Sequence, residues 1–323
     1  MRSKFTSFLA LAMIVFAASQ CNKKKTDEPA EETPATTTPA GPNSVADILA
    51  ANGSSVSTFT VDPSVSTTVT VLGNIFEIPA NSFESSAGLA TGIVTLSVKS
   101  ITTTTKSEII LNGAGANSSN SKLVVTKGCI KTTASQNTQT LRLVPGSSVV
   151  INVKDLSGPT SAPMKKFYTT KVTAVDSTQI WAMKADISDI PQVTMGPSLY
   201  HKVTLDTLIW LNVGAQNNDP APKTAVTVSV TGSMFTKANT LVYLSFDGSP
   251  TVGALFEISP GVFRISNMPQ GQAAHIIGIA AVNGQYYCTE MPYTIPAPGA
   301  PTVNLNLNAV TQTQMRTIVA SLP

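Results

Sequence analysis

The apolar residues of this chain recur every two positions. Val94, Leu96 and Val98 alternate with Thr95 and Ser97, and Val226, Val228 and Val230 alternate with Thr227 and Ser229. A period of two sends successive side chains to opposite faces, so each run reads as a strand with one face in a core and one in water. Similar runs occupy residues 68–78, 122–126, 128–133, 140–144, 148–153, 241–246, 263–265, 275–282 and 303–307. Clusters of Gly, Pro and Asn at 113–120, 217–222 and 267–271 divide them. Short strands punctuated in this way predict an all-β protein built of antiparallel sandwiches.

Two short helices are expected near the ends of the body. Ser44 and Asp47 form a capping-box-like start for Val45, Ile48 and Leu49, and Gly53 can end that helix. Thr311 and Gln314 do the same for Met315, Ile318, Val319 and Leu322, whose spacing makes one apolar stripe. With Arg316 as its one cation, the stripe reads as a face docked on its own domain and not as a membrane-surface helix.

The N-terminal segment follows a different rule. Arg2 and Lys4 precede an apolar stretch at residues 8–17, and Ala17, Ala18 and Ser19 lead to Cys21. The arrangement is that of an export signal, too short in its apolar part to remain as a spanning helix. Cys21 resembles the lipid-accepting cysteine of bacterial lipoproteins, with Gln20 standing where a small residue is usual; the alternative is a secretory signal cut beside a cysteine. Residues 22–42 are mostly Lys, Thr, Glu, Pro and Ala, with no side chain suited to a core, so they are expected to form a disordered tether reaching about 25 Å. The charged opening at residues 21–28 resembles that of many Bacteroidetes-type lipoproteins, which makes surface display one possibility for the anchored protein.

Loss of residues 1–20 would remove Arg2 and Lys4 from the 21 basic residues, leaving 19 against 18 acidic ones and a formal charge of +1. No basic stripe is left to follow a phosphate backbone, which argues against nucleic acid. Charged residues are 12% of the chain, about half the usual share, and Thr, Ser and Asn supply the polarity instead. With Cys21 lipidated, Cys129 and Cys288 remain as the one possible disulfide pair; 159 residues apart, they read as two buried thiols, with the disulfide as the alternative.

A family resemblance is carried by Gly73-Asn74-Ile75-Phe76-Glu77-Ile78-Pro79-Ala80-Asn81-Ser82-Phe83 and the strand from Gly92 to Val98. These resemble the opening of a ZU5-like domain. Segments 120–124 and 128–130, with Leu141-Arg142-Leu143-Val144-Pro145-Gly146, are similar to its second half as found in Bacteroidetes-type lipoproteins. Phe167-Tyr168, Ile180-Trp181 and 208–213 resemble the aromatic-marked strands that follow in those proteins. Residues 241–246, 268–271 and 276–281 resemble an immunoglobulin-like or carboxypeptidase-regulatory-like sandwich. The expected organisation is a lipoprotein signal at 1–20, a tether at 21–43, a ZU5-like antiparallel β domain at 44–155, a connecting β region at 156–213, and a C-terminal β-sandwich with a terminal helix at 214–323.

The resemblance brings architecture and compartment but little chemistry. Self-cleaving ZU5 domains use a His-Phe-Ser motif, and neither His201 nor His275 is followed by Phe. His201, five residues before Asp206, reads as a surface strand histidine, and His275 as a hydrogen-bonded residue at a strand end. Glu77, Glu84, Glu108, Asp155, Asp206 and Glu257 are scattered carboxylates that leave a glycosidase pair open. Trp181, Trp210, Tyr286 and Tyr287 are candidates for stacking on sugars, although Trp210 within Leu208-Ile209-Trp210-Leu211 reads as core. Asp176-Ser177-Thr178 and Asp206-Thr207-Leu208 resemble O-glycan acceptor sequences of Bacteroidetes.

No catalytic residue, metal ligand or cofactor is assigned, and the ligand-binding residues stay open. The expectation is a non-enzymatic, lipid-anchored protein of the bacterial cell envelope, at the outer membrane with its periplasmic or surface face open. It would engage an envelope protein partner; a glycan-binding or adhesive lipoprotein is the alternative, and an unrecognised hydrolase the third reading. Cys21→Ala is expected to abolish incorporation of labelled fatty acid and to move the protein from the membrane fraction to the soluble one. Unchanged acylation and fractionation would remove the anchor from this account.

Overall fold

The computed structural model describes residues 41–101, 105–115, 117–118, 122–155, 163–173, 176–183 and 189–323, with backbone alone at 170–173 and 176–183. The export signal, Cys21 and the tether as far as residue 40 lie outside the described residues.

The first stretch holds α1 (Val45–Asn52), β1 (Ser57–Val61), β2 (Thr67–Val71), β3 (Asn74–Ile78), β4 (Phe83–Ser85), β5 (Gly88–Leu89), β6 (Val94–Ile101) and α2 (Lys106–Leu111). Next come β7 (Asn117–Ser118), β8 (Val124–Gln136), β9 (Gln139–Leu143), β10 (Val149–Asp155), β11 (Lys165–Thr173), β12 (Asp176–Met183), β13 (Gln192–Met195), β14 (Ser198–Leu205) and β15 (Trp210–Gln216). The last stretch holds β16 (Lys223–Val230), β17 (Thr240–Phe246), β18 (Val252–Ser259), β19 (Val262–Pro269), β20 (Ala273–Val282), β21 (Gln285–Thr294), β22 (Val303–Leu305), β23 (Asn308–Val310) and α3 (Gln312–Ala320). The fold is all-β, as the two-residue period requires, and its strand pairs are antiparallel except β7 with β12 and β16 with β22.

The strands form three sheets. A middle sheet is organised on the 13-residue β8, with β6 and then β1 on one side and β15 and β9 on the other. An outer sheet runs β13-β14-β10-β3-β2, and a C-terminal sheet runs β22-β16-β19-β18-β17-β20-β21-β23. Phe76, Ile78, Ile151 and Val203 of the outer sheet share a core with Val94, Leu96, Ile130 and Val213 of the middle one. The opposite face of the middle sheet, through Cys129, Phe167 and Trp210, joins a second core with all three helices and with Tyr243, Ile277 and Cys288 of the C-terminal sheet. That sheet curls on itself, so Val226, Val228 and Phe263 meet Leu244, Ile276 and Leu305 in a third core.

The strands of residues 156–213 therefore belong to the same two sheets as those of residues 44–155. Asp155 pairs with Leu199 and Val149 with Leu205 in the β10/β14 ladder, while Trp210 to Gln216 pair along β8. A local pattern reveals a strand but not its distant neighbour, so the sequence presented this stretch as a connector. The break read at Lys127 is likewise a bulge inside one continuous strand: Thr126 faces Gly214 and Gly128 faces Val213, with Lys127 as the extra residue.

Both expected helix starts are present. The Ser44 hydroxyl accepts the Asp47 N–H, and Thr311 with Gln314 forms a reciprocal capping box. Met315 and Val319 of α3 are buried in the second core, beside the half-buried Ile318 and Leu322. Gly53 ends α1 at φ −73°, outside the left-handed region in which glycine is favoured. Glycine is needed there for closeness instead, since a Cβ would lie 2.7 Å from the Leu49 carbonyl oxygen and 2.8 Å from Asn112 Oδ1. The short α2 has no counterpart in the sequence reading.

One side chain clamps the C-terminal sheet to the rest. The buried Asn117 donates through Nδ2 to the Ala254 carbonyl and accepts the Ala254 N–H through Oδ1, both at 2.8 Å, as a strand neighbour would. Leu123 enters the third core close by. Asn117→Ala is expected to leave both Ala254 groups unpaired and to cost about 2–4 kcal/mol. Urea unfolding would show this as a lower midpoint at unchanged slope; a loss below about 0.5 kcal/mol would show that the clamp carries no stability.

Candidate functional site

A buried cluster of ionisable groups lies between the outer and middle sheets, where β8, β10 and β14 bring Lys127, Asp155 and His201 together. The bulge re-aims Lys127 towards the outer sheet, leaving its Nζ 3.8 Å from Asp155 Oδ2. His201 Nε2 lies 3.0 Å from the same oxygen, and the Asp155 and His201 side chains are both 0% exposed. His201 is thus a core residue bound to Asp155, and not the surface histidine beside Asp206 that its neighbours suggested. The pairing spans 46 positions and follows from the β10/β14 register, which places Val153 opposite His201.

An ionised Asp155 only accepts, so Nε2 carries the shared proton and Nδ1 is left as the second ring nitrogen. His201 Nδ1 is buried and has no hydrogen-bond partner among the described residues. A carboxylate-oriented imidazole is the arrangement that general-base catalysis uses, provided a substrate can reach the second nitrogen. None of the three principal clefts is lined by Lys127, Asp155 or His201. What this geometry does accomplish is to join β10 to β14 through the His201–Asp155 hydrogen bond and to set Lys127 of the middle sheet as an ion-pair partner across from it.

The second histidine is also held by carboxylates. His275 Nδ1 hydrogen-bonds Glu290, and its Nε2 lies 3.4 Å from Asp247 Oδ1. This fits the expected hydrogen-bonded residue near a strand start. Lys106 approaches the same strand end, donating to the Phe246 carbonyl at 2.5 Å and to the Pro323 oxygen. Burial lowers the Lys106 pKa, and the nearby Asp247 charge opposes that shift. Lys106 lines a cleft of about 720 Å³ between the start of α2, the β17–β18 turn and the end of α3. Two smaller clefts, of about 330 and 300 Å³, flank Lys122 and Leu123 where the C-terminal sheet meets the rest of the body.

The remaining sequence candidates separate in space. Glu77 accepts from Asn152 Nδ2 at 2.7 Å, Glu84 pairs with Arg142 at 2.9 Å, and Asp206 accepts from the Tyr168 hydroxyl at 3.3 Å. Glu257 accepts the Gly261 N–H, and Glu108 lies in the first turn of α2. Trp210 and Tyr286 are buried in the second core, and Tyr287 packs edge-on against Phe235 at 5.3 Å, so none of these three presents an open stacking face. The Trp181 side chain lies outside the described residues, as do the side chains of Asp176, Ser177 and Thr178. Asp206 is exposed, Thr207 and Leu208 half-buried.

Cys129 and Cys288 are free buried thiols in the same core. Burial pushes both pKa values up to about 12, with a Thr126 hydrogen bond acting in the opposite sense at Cys129 and the Glu290 charge adding to the rise at Cys288. Such thiols are protonated at neutral pH and do not act as nucleophiles. Among the described residues, no three of His, Cys, Asp and Glu converge on a position able to hold a metal ion. No helix among them is long and apolar enough to cross a membrane. No family model, curated protein or solved structure matches this chain.

Sequence reasoning missed the Lys127–Asp155–His201 cluster. The available signal was a lysine and a glycine interrupting an otherwise regular strand, which marks a bulge without naming what it faces. Asp155→Ala is expected to destabilise the fold by about 3–5 kcal/mol, because it leaves two polar partners buried without their acceptor. The triple replacement Lys127→Met, Asp155→Leu and His201→Phe should recover most of that loss in urea unfolding. A triple variant as unstable as Asp155→Ala would show that the cluster does more than join sheets.

Proposed function

We propose that this is a lipid-anchored, ZU5-like protein of the bacterial outer membrane, with a non-catalytic role in binding an envelope protein along the free edge of its outer sheet. The observation that carries the reading is the β2 edge. Among the described residues β2 pairs with β3 alone, and its sequence Thr67-Thr68-Val69-Thr70-Val71 has no charge and no proline. Natural edge strands are usually blunted by such residues, and an unblunted one is a template for another strand.

The ends of β2 strengthen the case. Val65 and Leu72 flank it at 52% and 47% exposure. Leu72 also holds φ +51° in the tight turn to β3, a conformation costly for a leucine and outside its usual range. Holding an apolar side chain in water on a strained turn is understandable where a partner covers it. β1, which pairs with β6 alone among the described residues, packs on the neighbouring strand: its Phe59 ring sits 5.9 Å from Phe76 of β3.

A photo-crosslinking amino acid in place of the exposed Thr68, in intact cells, is expected to trap one recurrent envelope protein. Adding Thr70→Lys should abolish the adduct while leaving thermal stability within a degree or two, since a lysine on the open edge repels a pairing strand. Absence of a protein adduct, or one indifferent to T70K, would refute pairing at this edge and favour the glycan-binding alternative.

A further inference from the structure

We infer that the two clefts beside Lys122 and Leu123 form one groove that binds an acidic oligosaccharide, a site separate from the β2 edge. The clefts share both residues, and β19 lines them from Arg264 to Pro269. Five strand steps cover about 17 Å, room for an extended chain and more than a single ion needs.

The groove offers donors and positive charge. Among the described residues, exposed Arg264 has no carboxylate partner and Lys223 Nζ donates only to the Asp219 carbonyl, at 2.6 Å. The acid of the groove is held by neutral donors: Asp219 Oδ1 accepts the Ala221 N–H of its own loop at 2.7 Å, and Oδ2 accepts Gln272 Nε2 of the β19–β20 turn at 2.5 Å. Asn217 Oδ1 accepts the Asp219 N–H and Asn218 Oδ1 accepts Lys122 Nζ, so each amide keeps an Nδ2 that donates to no described residue. Charged residues are scarce in this chain, and here cations and spare amide donors from the segments before β8 and after β15, from β16 and from β19 line adjoining clefts.

The apolar part of the groove narrows the ligand class. Ile258, 58% exposed, and the half-buried Phe256 line one cleft. Together these features suit a ligand rich in acceptors, negatively charged and with apolar ring faces, the description of a uronic-acid chain. Single-stranded nucleic acid would instead call for open aromatic platforms for its bases, and among the described residues Phe256 is the one aromatic side chain lining the groove.

The test is calorimetric titration of the detergent-solubilised full chain with hexagalacturonate and with its methyl-esterified form, which keeps the rings and removes the charge. The acid should bind and the ester should bind at least tenfold more weakly, with the acid's affinity falling between about 50 and about 300 mM NaCl. The double variant K223Q/R264Q should lose at least tenfold at an unchanged melting midpoint, both side chains being exposed. Equal binding of acid and ester, full affinity in the double variant, or no heat with either sugar would overturn the assignment. So would equal binding of a thymidine hexanucleotide, which would reveal a general polyanion surface.

Discussion

A sheet covered on both faces must be apolar on both, and the rest of this molecule is arranged around the middle sheet that meets that demand. β8 carries the requirement in one strand. Val124 and Cys129 reach the core shared with the helices, while Ile130 and Ala134 reach the core shared with the outer sheet. Residues 124 and 129 are an odd number of positions apart and would point to opposite faces of a regular strand. The extra residue at Lys127 resets the alternation and allows both to face the helices. The same bulge sends the Lys127 amine to Asp155, so one backbone irregularity sets the side-chain order of two cores and creates the buried ionic cluster.

Burying that sheet twice also traps polar groups. Thr126 donates to Asn212 on the helix-facing side, while Asn212 Nδ2 lacks a partner among the described residues. His201 Nδ1 is the corresponding defect on the other side. Unpaired buried groups cost stability, so these two atoms are a cost of burying the sheet on both faces. The cysteines behave differently. As small apolar groups they fill the second core from two sheets, and their burial there is what raises their pKa.

The local physics was legible in the sequence. Alternation at 94–98 and 226–230 located β6 and β16, and the capping residues at 44 and 311 marked the first helical turns of α1 and α3. The short α2 was hidden because Lys106-Ser107-Glu108-Ile109-Ile110-Leu111 is less than two turns and buries nearly every apolar side, leaving no amphipathic stripe to count. What could not be read was partnership across the chain. Asp155 and His201 carry no mutual signal 46 residues apart, and the grouping of Lys122, Lys223 and Arg264 depends on how a C-terminal sheet docks against a loop a hundred residues earlier. The β2 edge stood between these cases: its Thr-Val alternation was plain, but openness belongs to the sheet and not to the strand.

The layering gives the two proposed surfaces different positions relative to an anchor. The chain enters the body beside the β20–β21 hairpin, where the Gly284 N–H donates to the Pro42 carbonyl and the Val45 N–H donates to Ala238. The passage is so tight that a Cβ on Gly41 would sit 2.5 Å from the Gly284 Cα, so a side chain there would push the entering strand off the lobe. Under the proposed lipidation of Cys21, the spacer would therefore deliver its pull to the C-terminal lobe. The outer sheet, with its open β2 edge, is separated from that lobe by the middle sheet and its second core. A partner strand pairing with β2 would then engage the layer remote from the point of attachment, and the acidic-sugar groove would lie at the junction between that attachment lobe and the body it carries.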